Sequence, residues 1–210
     1  ILIMTATPIP RTLALTVYGN LGLSVIDELP PGRKEIKTVN VNYEQRNKVY
    51  QFIGEKVKQE GIQAYIVCPL VQESEKIDLQ AAVSLYDELR TGIFAHVPLG
   101  LIHGKMNAKE KEIIMDRFKD QKIKILISTS VIEVGVDVPQ ATIIAIEHAE
   151  RFGLAQLHQL RGRIGRGRLK SYCFLIGNPQ TVEAYRRLKA IAKTTDGFKL
   201  AEQDLLIRGA

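Results

Sequence analysis

The sequence predicts an α/β fold, a parallel sheet with helices on both faces, followed by a helical hairpin. Three observations predict it. From Ile36 to Gly177, short apolar runs alternate with helix-like stretches, the order that builds strand–helix–strand units. The runs are almost continuously apolar, as expected of strands covered on both faces. After Asn178 no strand-like run remains.

Each element follows from its residues. "ILIM" reads as a short strand already under way at the first residue, so the chain is expected to be a piece of a longer protein. "PIPRTLALTVYGN" reads as a helix, with Pro10 in its first turn and Gly19-Asn20 at its end. "DELPPGRKE" is a connector, so residues 1–35 form an end-piece and a boundary. "IKTVNVN" alternates like a strand, and residues 43–60 read as helix. "QAYIVCPLV" is a strand, followed by an acidic loop, "QESEKID", and a helix at about 79–91. "HVPLGLIHG" is a strand. Asn107 then caps a helix with Glu110 three residues on, as in a capping box. "IKILIST" and "ATIIAIEHA" are strands, 154–162 a helix, and "SYCFLIG" the last strand. The main domain is thus expected over 36–178. Residues 179–210 would form the appended hairpin, with "TTDG" between helices at 180–193 and 198–207.

Composition narrows the class. The chain has 210 residues, 45% apolar and 25% charged, which fits one globular domain with appendages. No stretch approaches the ~20 apolar residues of a membrane span, so no membrane partner is expected. Cys68 and Cys173 lie inside apolar runs and read as buried strand residues, consistent with a reducing, cytoplasmic setting. Charge is uneven. Residues 151–210 hold twelve Lys/Arg against four Asp/Glu, and residues 1–150 hold seventeen against nineteen. The basic excess in the last third suggests a surface for a polyanion.

A complete nucleotide site is missing from the sequence. "GLIHGKM" holds Gly-Lys, but Leu99 stands where a phosphate loop needs its first glycine and Met106 where it needs Ser/Thr. Asp27 and Glu28 precede Pro30-Pro31-Gly32 and belong to a turn rather than a metal site. None of the four histidines is spaced for a metal or a triad.

Three segments carry chemistry. "TATP", Thr5 to Pro8, fits an ordinary strand-to-helix turn as well as a nucleotide-sensing switch. In "STSVIEVGVDVP" a strand ends in Ser128, Thr129 and Ser130, and Gly135 and Asp137 follow. Both a cap-and-turn reading and a phosphate-binding reading suit it. "HQLRGRIGRG" interleaves Arg161, Arg163 and Arg166 with Gly162, Gly165 and Gly167. On a helix, Gln159, Arg163 and Arg166 would share one face. The two glycines inside that helix would cost about 1 kcal/mol each, a cost that close approach to a ligand explains. Arginine suits bidentate phosphate contact.

Together these segments resemble motifs III, V and VI of superfamily 2 helicases. "QLRGRIGR" fits the pattern Q-x-x-G-R-x-G-R at every fixed position. "MTATPIPRTLALTVYGNLGLSVIDELPPGR", "AERFGLAQLHQLRGRIGRG" and "DGFKLAEQDLLIRG" resemble the RecG family of ATP-dependent DNA helicases, which remodel stalled forks. The resemblance spans the chain and implies a RecA-like second motor lobe, with the end of the first lobe at 1–35. ATP and Mg²⁺ would be held mainly by the first lobe of the same protein, and forked or branched duplex DNA would be the other partner. By motif, Arg166 would be the arginine finger, with Arg163 and Gln159 beside it. Gly135 and Asp137 would line the nucleotide cleft. Ser128, Thr129, Ser130, His103, Gly104 and Lys105 would hold DNA phosphates. Thr5, Thr7, Arg187 and Arg208 would couple the nucleotide to movement. The family's hairpin pattern runs on past Gly209, whereas this sequence stops at Ala210. A transcription-repair coupling translocase, and a non-catalytic nucleic-acid-binding module, are the competing readings.

Overall fold

The computed structural model describes residues 35–69, 75–129, 138–167 and 169–208. The expected first strand, first helix and most of the connector lie outside these residues, as do Thr5, Thr7, Ser130, Gly135 and Asp137. Among the described residues six strands form one sheet: β1 (Ile36–Val41), β2 (Gln63–Cys68), β3 (Leu99–Ile102), β4 (Ile125–Thr129), β5 (Ala141–Ile146) and β6 (Ser171–Ile176). Their order is β1-β6-β5-β2-β4-β3, and every pairing is parallel. Parallel neighbours need crossover connections. These are supplied by α1 (Arg46–Glu60), α2 (Glu75–Thr91), α3 (Ala108–Lys119) and α4 (Leu154–Arg161). The hairpin is α5 (Val182–Lys193) and α6 (Gly197–Arg208).

Strand alternation builds two cores. On β2, Tyr65 and Val67 face one layer, while Ala64, Ile66 and Cys68 face the other. The first layer is closed by Met115 and Phe118 of α3, Leu154, Leu157 and Leu160 of α4, Leu188 and Ile191 of α5, and Leu200 of α6. The second is closed by Val49, Tyr50, Ile53 and Val57 of α1 and Ala82, Leu85 and Leu89 of α2. Each fully buried side chain of this size stabilises by about 1.5–3 kcal/mol. The hairpin is therefore packed into the first core rather than simply appended to it. Burial pushes the Cys68 and Cys173 thiols up to about 12, which leaves them protonated and inert at neutral pH.

Local signals place the helix ends. The Asn107 side chain accepts from Glu110 N at 2.9 Å and the Glu110 carboxylate accepts from Asn107 N at 2.9 Å, completing the expected capping box. Thr181 accepts from Ala184 N at 3.1 Å to start α5, and Asp196 accepts from Phe198 N at 2.9 Å to start α6. The "TTDG" turn is thus a capped junction. Several boundaries differ from the sequence reading, among them these two. α2 begins at Glu75 rather than about 79, because the charged Glu75, Lys76 and Asp78 continue the acidic run before them and read as loop. α4 ends at Arg161, with Gly162 as its cap, which changes the reading of the arginine segment.

Candidate nucleotide and nucleic-acid sites

In a parallel sheet all strands end on one edge, and ligands bind in the crevices outside those ends. The expected site residues divide between this C-terminal edge and the opposite one. The six-residue strands between them rise about 3.3 Å per residue, so the two groups lie roughly 15–20 Å apart.

At the C-terminal edge, Ser128 and Thr129 close β4 beside β3, with Ile102 paired to Ser128. Both side chains are buried. Their hydroxyl oxygens, and His103 Nδ1 on the neighbouring strand's exit, have no hydrogen-bond partner among the described residues. The chain then turns at His103–Met106, closed by Met106 N donating to His103 O at 3.2 Å, and Lys111 Nζ donates to Gly104 O at 3.3 Å. Gly104 and Lys105 are exposed, and a side chain at Gly104 would meet nothing within 4 Å. Burial, and then the charge of Lys111, hold His103 below the ordinary histidine range. An incoming anion would push it back up. Of the expected DNA-binding residues, Gly104 and Lys105 offer the exposed surface, whereas Ser128 and Thr129 lie beneath it.

At the N-terminal edge sits the arginine loop. The expected shared helical face does not form. α4 stops at Arg161 and leaves Gln159 exposed in its last turn. Arg163 is half-buried in a turn, Ile164 is buried, and Arg166 is exposed beyond Gly165. Gly165 has φ +76°, and a Cβ there would stand 2.8 Å from Ile36 Cγ1. A Cβ on Gly167 would stand 2.7 Å from Pro139 O. The close approaches that require glycine are thus to this chain's own backbone and core, not to a ligand. They clamp the loop over the beginnings of β1, β5 and β6. Val138 and Pro139, the last two residues of the preceding motif, lie at the same place, just before β5.

Of the hairpin residues, Arg187 reaches the turn that follows β5, on the C-terminal edge. Arg187 Nη2 donates to Glu150 O at 3.0 Å, docking α5 on the turn Ala149–Arg151. Arg208 is the last residue of α6.

Two features escaped the sequence reading. Arg161 is 3% exposed and donates through Nη1 to Ile191 O at 2.7 Å and Thr194 O at 2.9 Å. No local pattern announces a guanidinium whose acceptors lie 30 and 33 residues away. The Tyr50 hydroxyl donates to the buried Glu147 carboxylate. Burial pushes Glu147 above its ordinary value, opposed by that hydrogen bond and by Arg46. An apolar strand followed directly by an acid was the available signal. Among the described residues no group of three His, Cys, Asp or Glu is placed to hold a metal ion.

A helix-covered parallel sheet with an arginine loop at one edge and a basic turn at the other defines a RecA-like lobe of a helicase-type motor. The chain belongs to the family of the helicase conserved C-terminal domain, whose model matches residues 44–168. It is 50% identical over 208 residues to the ATP-dependent DNA helicase RecG of Thermotoga maritima, covering 99% of this chain and 26% of that protein. It is 48% identical over 209 residues to RecG of Bacillus subtilis, covering 100% of this chain and 30% of that protein. The chain thus spans between a quarter and a third of the length of these relatives. A solved structure of RecG bound to a three-way DNA junction superimposes with TM-score 0.80 at 49% identity, over 95% of this chain and 26% of that one. The C-terminal domain of the DEAD-box protein Dbp5 shares the fold alone, with TM-score 0.53 at 20% identity over 75% of this chain and 84% of that one.

Proposed function

We propose that this chain is the second motor lobe of an ATP-dependent DNA helicase of the RecG type, acting on forked or branched duplex DNA in repair and recombination. The observation that carries the reading is the fixed arginine loop, in a chain about half identical to RecG helicases along its whole length. ATP with Mg²⁺ supplies the phosphoryl group and a concentration of negative charge. Arg163 and Arg166 present planar donors for that charge on a loop whose backbone is already fixed. Positioned donors of this kind need no reorganisation during reaction, and an arginine finger in phosphoryl transfer is worth about 10³–10⁵ in rate. Gln159, exposed in the last turn of α4, would report on the same phosphate. Gly135 and Asp137 belong to the segment that ends beside this loop and would line the nucleotide cleft. Thr5 and Thr7 would face it from the first lobe, whose own residues hold most of the nucleotide and the metal.

The opposite edge is for DNA. Lys105 and the open backbone at Gly104 meet a phosphate directly. Ser128 and Thr129 form the floor, and Ser130, next in sequence, would extend it. Arg187 and Arg208 on the hairpin carry closure of the lobes to the duplex. In the full-length protein, Arg166→Ala should lower kcat for ATP hydrolysis far more than DNA affinity, because the contact is made mainly in the transition state. Steady-state ATPase assays beside DNA titrations decide it, and equal losses in both would reduce Arg166 to a DNA contact.

A further inference from the structure

We infer that Arg161 is the positioning residue that ties the arginine loop to the helical hairpin, so that movement of the loop reaches α5 and α6 as one body. The inference rests on the motor reading above and adds a residue to it. Arg161 is the last residue of α4, two positions before Arg163 and five before Arg166. Its Nη1 bridges Ile191 O, in the last turn of α5, and Thr194 O, just past its end. Those carbonyls lie at the negative end of the helix, where a cation is favoured. Its Nη2 lies 3.1 Å from His158 Nδ1. Because a guanidinium can only donate, the imidazole accepts there, which fixes the plane of the fork from the preceding turn.

The connection is stiff on both sides. Between Arg161 and Arg166 the chain is pinned by buried Ile164 and by Gly165 against Ile36. On the other side Leu188, Ile191 and Leu200 share a core with Leu157 and Leu160 of α4. No carboxylate among the described residues lies within ion-pair distance of Arg161; burial pulls its pKa down, and the charge of Glu35, across the adjoining pocket, opposes that only in part. A buried cation held by two carbonyls and an imidazole, with no direct ion pair, is costly as packing. An apolar residue would fill the same volume at less cost, but it could not hold two carbonyls from a second element in register. Arginine can, with Nη1 on both carbonyls and Nη2 on His158 in one plane, whereas the shorter lysine carries a single nitrogen and cannot reproduce that three-point geometry.

A pocket of about 380 Å³ lined by Arg161, Thr38, Lys193 and Thr194 opens beside the guanidinium, which allows chemical rescue. In the full-length protein, Arg161→Ala and Arg161→Lys should keep DNA-stimulated ATP hydrolysis but lose branched-DNA unwinding by about tenfold or more, as removal of charge-assisted hydrogen bonds allows. Methylguanidinium at non-denaturing concentration should restore unwinding to Arg161→Ala and not to Arg161→Lys, whose side chain still occupies the site. A parallel fall of hydrolysis and unwinding, no fall in either, or no rescue of a folded Arg161→Ala protein overturns the inference while the motor reading stands. Should Arg161→Ala fail to fold, Arg161→Lys decides alone: loss of unwinding with hydrolysis intact supports the tie, and full unwinding overturns it. A wild-type protein without DNA-stimulated hydrolysis would overturn the motor reading, and this inference with it.

Discussion

Gly165→Ala should be among the most damaging single-methyl changes in the lobe. The residue sits at φ +76°, where an L side chain costs about 1–2 kcal/mol. The new Cβ would also stand 2.8 Å from Ile36 Cγ1 and 3.0 Å from its Cδ1. Ile36 opens β1 and is 8% exposed, so it can give only by disturbing the first core. Such overpacking adds about 1–3 kcal/mol. The sum is about 2–4 kcal/mol once partial relaxation is allowed. For a chain of this size each kcal/mol moves Tm by about 2–4 °C, so a fall of about 5–15 °C is expected. Denaturant melts of the chain give the free energy, and a calorimetric scan gives Tm. Gly104→Ala is the control. It meets nothing within 4 Å and should stay within about 0.5 kcal/mol of the parent. If Gly165→Ala matched that control, the claim that the glycine serves an internal close approach would be wrong.

Three further outcomes follow from the geometry. Asn107→Ala removes one half of the capping box and should lower stability by about 1 kcal/mol, read from the denaturation midpoint at constant m. Glu147 has its folded pKa raised by burial. The folded state therefore holds the proton more tightly, and the group's contribution is present below its unfolded pKa and lost as pH rises through the folded value. Glu147→Gln, which keeps an acceptor for Tyr50, should therefore gain stability relative to the parent as pH rises through that window; a constant difference across pH would refute the assignment. In the full-length protein, Lys105→Ala should weaken DNA binding regardless of sequence and reduce the slope of log affinity against log salt by about 1. An unchanged slope would remove Lys105 from the DNA surface.

The sheet was legible because its strands announce themselves. "AYIVC" and "TIIAI" are apolar without interruption, and only burial on both faces explains that. The Asn107 cap was legible because a capping box is a local device. The arginine segment was misplaced for a local reason too. The spacing of Gln159, Arg163 and Arg166 suits a helix, but Gly162 and Gly165 end it, and helical spacing beyond the last helical residue means nothing. Which ligand-bearing residues share an edge was also within reach. In a parallel sheet, residues after a strand and residues before one lie on opposite edges, which separates Ser128 and His103 from Arg166. What no local reading could reach was Arg161, whose meaning depends on the carbonyls of Ile191 and Thr194.

The pairing of β1 with β6 joins the two ends of the sheet's sequence. Tyr43 N and the Asn178 side chain, which hydrogen-bond just beyond it, are 135 residues apart. Contacts so distant require a long loop to close before any compensating interaction forms, which slows folding. On a ribosome, β1 emerges first of these six strands and must wait, with no strand beside it, until Ser171–Ile176 has been synthesised. The central strands can assemble meanwhile, and the exposed rim of β5 is then open to pairing with foreign chains. Translational pausing between Ile146 and Ser171 would prolong that interval, and variants that slow synthesis there should aggregate more in cells without any loss of stability once folded.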